Sequence, residues 1–278
     1  MAKNVTVVGA GSWGTALAQV LCDNQNNVKL YDLNQEIVDD INQNHRNSRF
    51  FADVQLPVGL VATTNLTEAL KDAQIILLSV PTKVIRDVLK TINEQLDHAV
   101  MIINASKGIE PGTHKRVSEI VAEEIDQTYL EAFVALSGPS HAEEVIERAL
   151  TTVTCAATVA DKANEIQKMF NNEYFRVYRV DDLIGVEIGG SIKNVIALAA
   201  GIIAGLGYGD NPKAALITRG LVEIKRLGAA VGAKEETFSG LSGLGDLIVT
   251  CTSVHSRNWQ AGYKIGSGSN LQEAIDSM

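Results

Sequence analysis

The sequence predicts an α/β fold: a doubly wound, mostly parallel sheet followed by a separate all-helical part. Three observations carry this. Short apolar runs alternate with amphipathic stretches over about the first 180 residues. The run Val5–Val8 leads directly into Gly9-Ala-Gly11-Ser-Trp-Gly14 and then into the helix-like Thr15-Ala-Leu-Ala-Gln-Val-Leu. Strand signals cease after about Asp182, where Ala-rich segments of helical period take over.

Element by element, strands are expected at Val5–Val8, Val28–Tyr31, Ile75–Val80, Ala99–Asn104, Ala132–Ser137, Thr151–Ala156 and Phe175–Tyr178. Helices fall between them, at Ser12–Asp23, Gln35–Asn44, Leu66–Lys71, Lys83–Leu89, Thr113–Glu124, His141–Glu147 and Lys162–Phe170. Asn44–Leu60 fits no period and reads as irregular. Beyond Asp182, the segment Glu187–Ala204 places Ile188, Ile192, Val195, Ile196, Ala199 and Ile203 on one helical stripe, read as the core face. Its other side carries Lys193 above Ala197, Ala200 and Ala204, small side chains that let a partner or ligand approach closely. Asn211-Pro212 is expected to start the next helix, with Pro at the first helical position and with Leu216, Leu221, Ile224 and Val231 facing its core. Ser239–Asp246 reads as a glycine loop and Asp246 as the start of a further helix. The last helical pattern covers Asn270–Met278. Residues 1–182 thus form a dinucleotide-binding domain and 183–278 a helical substrate-binding and catalytic domain. Because the chain stops soon after that last pattern, the second domain is expected to be truncated.

The apolar fraction of 46% fills a real core. A net charge of −9 argues against nucleic acid and against an anionic membrane surface. A phosphate-bearing ligand must then be held by individually placed cations. Cys22, Cys155 and Cys251 lie far apart, which reads as reduced thiols in a cytoplasmic protein. The N-terminus runs straight into a strand, leaving no room for a signal peptide. No apolar run reaches the roughly 20 residues of a membrane span, so no membrane insertion is expected.

The glycine turn is the most specific local signal. Gly9 permits the tight turn, Gly11 lets backbone approach a pyrophosphate, and Gly14 lets helix pack on strand. The helix N-terminus adds unpaired N–H groups and a positive dipole end. The chain therefore reads as a Rossmann-type binder of a nicotinamide dinucleotide. Asp32 ends the second strand, 18 residues after Gly14. An acid there bonds ribose hydroxyls and repels a 2′-phosphate. Leu33, Asn34 and Gln35 follow it without an Arg, so NAD is favoured over NADP; the competing reading of Asp32 is a helix cap.

Lys107, in Asn104-Ala-Ser-Lys-Gly, follows the C-terminal end of a strand, where open α/β sheets bind ligands; a surface loop lysine is the plainer reading. Ser137-Gly-Pro-Ser-His141 also follows a strand end and is either a turn with a cap or a source of backbone N–H groups for an anion. Lys193 and Asn194 sit on an apolar helix. A lysine there either snorkels to solvent or, desolvated in a cleft, serves as general acid or base. Asp246 would be its carboxylate partner, or simply a cap. Ser256-Arg257-Asn258 suits a phosphate, or is a solvated charge. The five histidines are scattered without metal spacing and no metal is expected.

Taken together and in this order, the motifs resemble the bacterial glycerol-3-phosphate dehydrogenases over essentially the whole chain. The markers are Gly9-Ala-Gly-Ser-Trp-Gly-Thr-Ala, Ser79-Val-Pro-Thr, Ser106-Lys-Gly-Ile-Glu, Leu136-Ser-Gly-Pro-Ser-His-Ala-Glu-Glu, Gly185-Val-Glu-Ile-Gly-Gly, Lys193-Asn-Val-Ile-Ala-Leu-Ala-Ala-Gly, Gly205-Leu-Gly-Tyr-Gly-Asp-Asn, Thr237-Phe-Ser-Gly-Leu-Ser-Gly-Leu-Gly-Asp-Leu and Ser256-Arg-Asn. The resemblance implies interconversion of sn-glycerol 3-phosphate and dihydroxyacetone phosphate with NAD or NADP, supplying glycerol 3-phosphate for phospholipid synthesis. It implies that Lys193 is the catalytic lysine, and that Lys107, Asn194, Asp246 and Thr250 orient it and the substrate. Gly138, Ser140, Ser256, Arg257 and Asn258 match substrate-binding positions, with Arg257 and Asn258 on the phosphate. Ser12, Trp13, Lys107, Ala142 and Arg257 match cofactor contacts. The second domain would be of the helical 6-phosphogluconate-dehydrogenase type, in a homodimer.

The chain departs from the family pattern at Asp32-Leu33-Asn34, where many members carry His or Arg for the 2′-phosphate of NADP. It departs again at Phe50-Phe-Ala-Asp, which replaces an aromatic-Leu-Pro. Two alternatives compete: a related hydroxyacid or sugar-nucleotide dehydrogenase, and a non-catalytic NAD-binding fragment or sensor. The sugar-nucleotide reading needs a nucleophilic cysteine, for which Cys251 is the one candidate.

Overall fold

The computed structural model describes residues 2–276. Its strands are β1 (Asn4–Val8), β2 (Asn27–Tyr31), β3 (Val61–Thr63), β4 (Ile75–Leu78), β5 (Val100–Asn104), β6 (Leu130–Ser137), β7 (Thr151–Ala157) and β8 (Phe175–Arg179). They form one sheet in the order β3-β2-β1-β4-β5-β6-β7-β8, parallel from β3 through to β6. All of β4 and β5 is buried, as strands covered on both faces must be. The strand order reverses between β1 and β4, and the crevice at such a switch point is where open sheets bind ligands. The sequence offers no sign of β3, because three residues are too few to show an alternation.

Two compact units result. The first comprises Met1–Leu136, Ala142–Thr151 and Cys155–Asp181; the second comprises Ser137–His141, Thr152–Thr154 and Asp182–Met278. The first holds helices α1 (Ser12–Asp23), α2 (Gln35–Asn44), α3 (Leu66–Leu70), α4 (Ile85–Asn93), α5 (Val117–Glu124), α6 (Ala142–Ile146) and α7 (Ala160–Phe170). Asn34 caps α2 by accepting from the N–H groups of Glu36 and Ile37 at 2.9 and 3.3 Å. Asp32 is not that cap.

The helix expected from Thr113 begins only at Val117. Gly112 and His114 both take positive φ, 84° and 59°, and the Lys115 carbonyl accepts from the Glu110 N–H at 2.9 Å. The result is a closed turn. Arg86 fastens it by donating to both Glu110 oxygens, at 2.7 and 2.8 Å. The guanidinium, helped by the Thr113 hydroxyl, holds the Glu110 carboxyl down from 4.5 to about 2. A folded-state value below the unfolded one gives stability that is present above pH 4.5 and lost as pH falls toward 2. The Tm of the wild type is therefore expected to fall more steeply than that of Glu110→Gln between about pH 5 and pH 3. Parallel Tm profiles would refute this.

The second unit is built around α8 (Leu183–Gly205), with α9 (Asp210–Ala230), a 3₁₀ turn (Glu235–Ser239), a π turn (Leu241–Gly245), α10 (Asp246–Thr252), α11 (Arg257–Gly266) and α12 (Leu271–Asp276). Asp182 starts α8. One of its oxygens accepts from Gly185 N–H at 2.9 Å, and the other from Lys234 N–H at 2.9 Å and the Thr237 hydroxyl at 2.7 Å. One carboxylate thus ties the start of α8 to the segment that leads into the π turn.

Glycines on two helices let α8 and α11 touch backbone to backbone. A Cβ on Gly201 would lie 2.0 Å from the Trp259 carbonyl oxygen, and one on Gly262 would lie 2.0 Å from that of Leu198. Gly205 and Gly266 repeat the contact one turn on, at 2.3 Å from the Tyr263 and Ile202 oxygens.

This packing overturns the expected core face of α8. Lys193, Ala197 and Ala200 are buried, whereas Val195 is 65% exposed and Ile192, Ile196, Ala199 and Ile203 are half-buried. Only Ile188 of the predicted stripe is in the core. Helices approach where side chains are absent, and a hydrophobic period gives glycine no weight. The same holds for α9. Its buried positions are Gly220, Ile224 and Gly228, while Leu216 and Leu221 are half-buried and Val231 is exposed. That helix begins at Asp210, so Pro212 is its third residue rather than its first. The first turn still tolerates Pro, since its N–H groups have no intrahelical acceptor. The expected glycine loop Ser239–Asp246 is helical for most of its length. The final pattern is a helix at Leu271–Asp276, and residues 277–278 lie outside the described residues. Contrary to the sequence expectation, α8 is long and apolar enough to cross a membrane by length and composition. It nonetheless carries Glu187 and Lys193 buried and packs on α9, α10 and α11.

Candidate active site

In the first unit the glycine turn sits at the β1–β4 switch point. Gly9 has φ +104°, and a Cβ there would meet the Ser79 carbonyl oxygen at 2.7 Å. A Cβ on Gly14 would lie 2.0 Å from the Gly9 oxygen, so only glycine lets α1 start this close to the turn. A Cβ on Gly11 meets nothing within 4 Å, which is the open side a pyrophosphate needs. The first turn of α1, with Ser12 and Trp13, has no side-chain cap and no acidic residue. Helix-start N–H groups with no acidic side chain in their own turn suit an anion. These residues fit a dinucleotide.

Trp13 donates its indole N–H to the Ala105 carbonyl at 3.2 Å, two residues before Lys107. Beside it, the Ser106 hydroxyl donates to the Val80 carbonyl at 2.7 Å. Helix α1, the end of β4 and the Lys107 loop are thereby held together within one unit. Asp32 accepts from Ala10 N–H at 2.7 Å and from Asn34 N–H at 2.9 Å. Each oxygen keeps a further lone pair for a ribose hydroxyl, and Leu33 beside it is 83% exposed. Ala142 opens α6 in this unit.

In the second unit the central feature is Lys193. Its side chain does not snorkel: the residue is 5% exposed and Asp246 is 0% exposed. The ammonium donates to the Asp246 carboxylate, and to the Thr250 hydroxyl at 2.6 Å. Thr250 donates its own proton to the Asp246 carbonyl at 2.6 Å, which turns its lone pairs toward the lysine. The π turn sets this register. A Cβ on Gly189 would lie 2.3 Å from the Ser242 carbonyl oxygen. Four residues along on each side, Lys193 meets Asp246. Asn194 is half-buried, next along α8.

Gly138 has φ +151°, its built Cβ lies 2.8 Å from Val153 Cα, and its carbonyl accepts from the Ser140 hydroxyl at 3.0 Å. His141 contacts the Val249 carbonyl at 3.4 Å and lies 5.7 Å, ring to ring, from His255. Ser256 is a helix cap, accepting from Trp259 N–H at 3.3 Å, and is buried. Arg257 and Asn258 are the first residues of α11, exposed and half-buried. Cys251, beside Thr250, is fully buried, and burial pushes its thiol up to about 12. A thiol held protonated and buried is a poor nucleophile, so Cys251 is not set up for the role a sugar-nucleotide dehydrogenase would ask of it.

Sequence reasoning gave no role to Asn47, nor to Gly189 and Ser242, although the last two lie within motifs it singled out. Gly189 had a legible signal: a Gly-Gly pair inside an otherwise good helix marks a close approach. Asn47 had none, since its value lies in two long-range hydrogen bonds.

The family model for the N-terminal part of NAD-dependent glycerol-3-phosphate dehydrogenase matches residues 4–163, and the model for the C-terminal part matches residues 182–278. A glycerol-3-phosphate dehydrogenase (NAD(P)+) of Bacillus cereus is 56% identical over 274 residues, 99% of this chain and 81% of that one. The crystal structure of glycerol-3-phosphate dehydrogenase from Coxiella burnetii superposes with a TM-score of 0.94 at 37% identity, over 99% of this chain and 84% of that one. The Saccharomyces cerevisiae glycerol-3-phosphate dehydrogenase superposes with a TM-score of 0.85 at 29% identity, over 100% of this chain and 85% of that one. The glycine turn, the buried lysine–aspartate pair and these matches lead to one conclusion: the chain belongs to the NAD-dependent glycerol-3-phosphate dehydrogenase family.

Proposed function

We propose that the chain interconverts sn-glycerol 3-phosphate and dihydroxyacetone phosphate with NAD(P)(H), and that Lys193 is the general acid/base. The observation that carries the proposal is the Lys193–Asp246–Thr250 contact, a buried ammonium held on two sides by groups of fixed orientation. The cofactor supplies or accepts the hydride at C2. Lys193 gives a proton to the C2 oxygen in reduction and takes it in oxidation. Asp246 keeps the lysine in place and offsets its charge, and a preorganised cation there stabilises the oxygen as negative charge builds on it. Lys107 and Asn194 orient the carbonyl. Gly138, Ser140, Ser256, Arg257 and Asn258 hold the phosphate end, so that binding energy remote from C2 fixes its position. Residues 1–182 hold the cofactor and lend Lys107, Gly138 and Ser140 to the substrate, and residues 183–278 supply Lys193 and the remaining substrate contacts, in a cytoplasmic homodimer that feeds phospholipid synthesis. The test is oxidation of NADH and of NADPH with dihydroxyacetone phosphate as the variable substrate. A folded protein that binds cofactor but turns over neither would refute the catalytic reading and favour a sensor.

NAD is the proposed preference. Asp32 presents a carboxylate at the ribose end of β2, and no Arg follows it. The cation that would invert this belongs at exposed Leu33, not at Asn34, whose side chain caps α2. Asp32→Ser with Leu33→Arg is expected to raise the NADPH-to-NADH ratio of kcat/KM by about tenfold or more, the worth of one charge-assisted hydrogen bond to the 2′-phosphate. An unchanged ratio rules out Asp32 as the discriminator. Because Asp32 also binds Ala10 N–H, some loss with both cofactors accompanies the switch.

A further inference from the structure

We infer that Asn47 is a positioning residue for the dinucleotide site: it clamps the glycine turn into its binding shape. The inference rests on the reading of Gly9–Gly14 as the pyrophosphate cradle. Asn47 lies just after α2, in the segment that fits no period. It is 1% exposed, and its amide nitrogen donates to the Ala10 carbonyl at 2.9 Å and to the Thr15 hydroxyl at 2.8 Å. Both amide hydrogens are thus spent on the turn and on the first turns of α1.

Ala10 is the residue between the two glycines that make the turn. Asn47 takes its carbonyl, and Asp32 takes its N–H at 2.7 Å. The two peptide groups flanking Ala10 Cα are therefore pinned by side chains from outside the turn. Gly9 alone, at φ +104°, has many other conformations open to it. Two pinned groups remove that freedom and leave the N–H groups after Gly11 pointing where an anion binds.

The amide orientation follows from its partners. A carbonyl acceptor and a hydroxyl both sit at the nitrogen end, and turning the amide over would set oxygen against oxygen. The Asn47 side-chain oxygen is meanwhile buried with no hydrogen-bond partner. Such an atom is unfavourable and needs a reason. Serving the glycine turn with the nitrogen supplies one. Asn47 is itself held in place, for its own carbonyl accepts from Phe51 N–H at 2.8 Å and Phe50 N–H at 3.0 Å, and Phe51 is buried. The clamp is anchored in a packed loop.

The experiment is an NADH titration by fluorescence, with steady-state kinetics, on the full chain and on Asn47→Ala. Kd and KM for NADH are expected to rise about tenfold, equivalent to about 1.4 kcal/mol. The kcat at saturating NADH and the KM for dihydroxyacetone phosphate are expected to stay within about twofold. A merely structural role would lower kcat with the amount of folded enzyme and leave the KM for NADH alone. A Kd within twofold of wild type, or a loss confined to kcat, overturns the inference. Thr15→Val decides it if Asn47→Ala does not fold. At nearly constant shape it deletes one of the two acceptors, together with the hydroxyl's own 3.4 Å bond to the Ala10 carbonyl, so NADH Kd should rise two- to fivefold, and no rise overturns the clamp. Wild type that binds NADH while both variants bind it equally well sinks the clamp alone. Wild type that binds none sinks the cofactor reading, and the clamp with it.

Discussion

Lys193→Met is expected to lower kcat by about three orders of magnitude while NADH binding stays within about twofold of wild type, because general acid–base catalysis contributes on that scale. The substitution has a second effect that must be separated from the first. Asp246 is 0% exposed, and removing its partner strands a buried carboxylate, which destabilises by about 3–5 kcal/mol. Loss of activity in the single variant thus mixes chemistry with folding. Lys193→Met with Asp246→Asn removes the stranded charge at constant shape. The pair should regain most of the lost Tm and none of the activity. A double variant that turns over faster than about a tenth of wild type would show that the proton comes from elsewhere.

Gly262→Ala is expected to destabilise by about 3 kcal/mol, near the top of the range for overpacking. Intrinsic propensity pulls the other way, since alanine is the better helix residue by about 1 kcal/mol. The sign of the measured change therefore tells which force rules this helix. The new methyl group would lie 2.0 Å from the Leu198 carbonyl oxygen and 3.0 Å from the Ile202 nitrogen. Both are backbone atoms that no rotamer change can move, so α11 must lift away from α8. Gly209→Ala is a control for the steric overlap alone: a Cβ there meets nothing within 4 Å and its φ is −80°, although Gly209 is the N-cap of α9, where alanine itself costs a little. Chemical denaturation of the three proteins measures both effects. Gly262→Ala as stable as wild type would mean that the two helices separate without penalty.

Much of the first unit was legible because its signals are local. A β-branched run, a glycine turn and an amphipathic helix each announce themselves within about ten residues, and β1, α1, β2 and α2 lie where the pattern puts them. The Lys107 loop was harder, because a positive φ at His114 is not written in composition. The helical unit was misread chiefly in the burial of its faces, and also at the start of α9 and in the glycine-rich segment that turned out helical. Val195 looks like core and is exposed, while Lys193 looks like surface and is buried. The deciding groups there are Gly189, Gly201 and Gly262, which contribute by having no side chain. The sequence could suggest Asp246 as a partner for Lys193, with a helix cap as the competing reading. That they touch depends on where the chain between Asp182 and the π turn is fastened, a long-range fact that no local period encodes.

The π turn Leu241–Gly245 has a consequence for insertions and deletions. A π turn holds one residue more than the α turn that would span the same rise. Removing one residue from it would leave a continuous, better hydrogen-bonded helix running into α10. Each residue of an α-helix advances the face by about 100°, so α10 would then present Leu247 or its neighbours to α8 where Asp246 now stands. A single-codon deletion at this point should thus yield a folded, cofactor-binding protein with its buried lysine facing a hydrocarbon. In the reverse direction, restoring that one residue would return Asp246 to Lys193. The residue count of the turn thus decides which side chain of α10 faces Lys193.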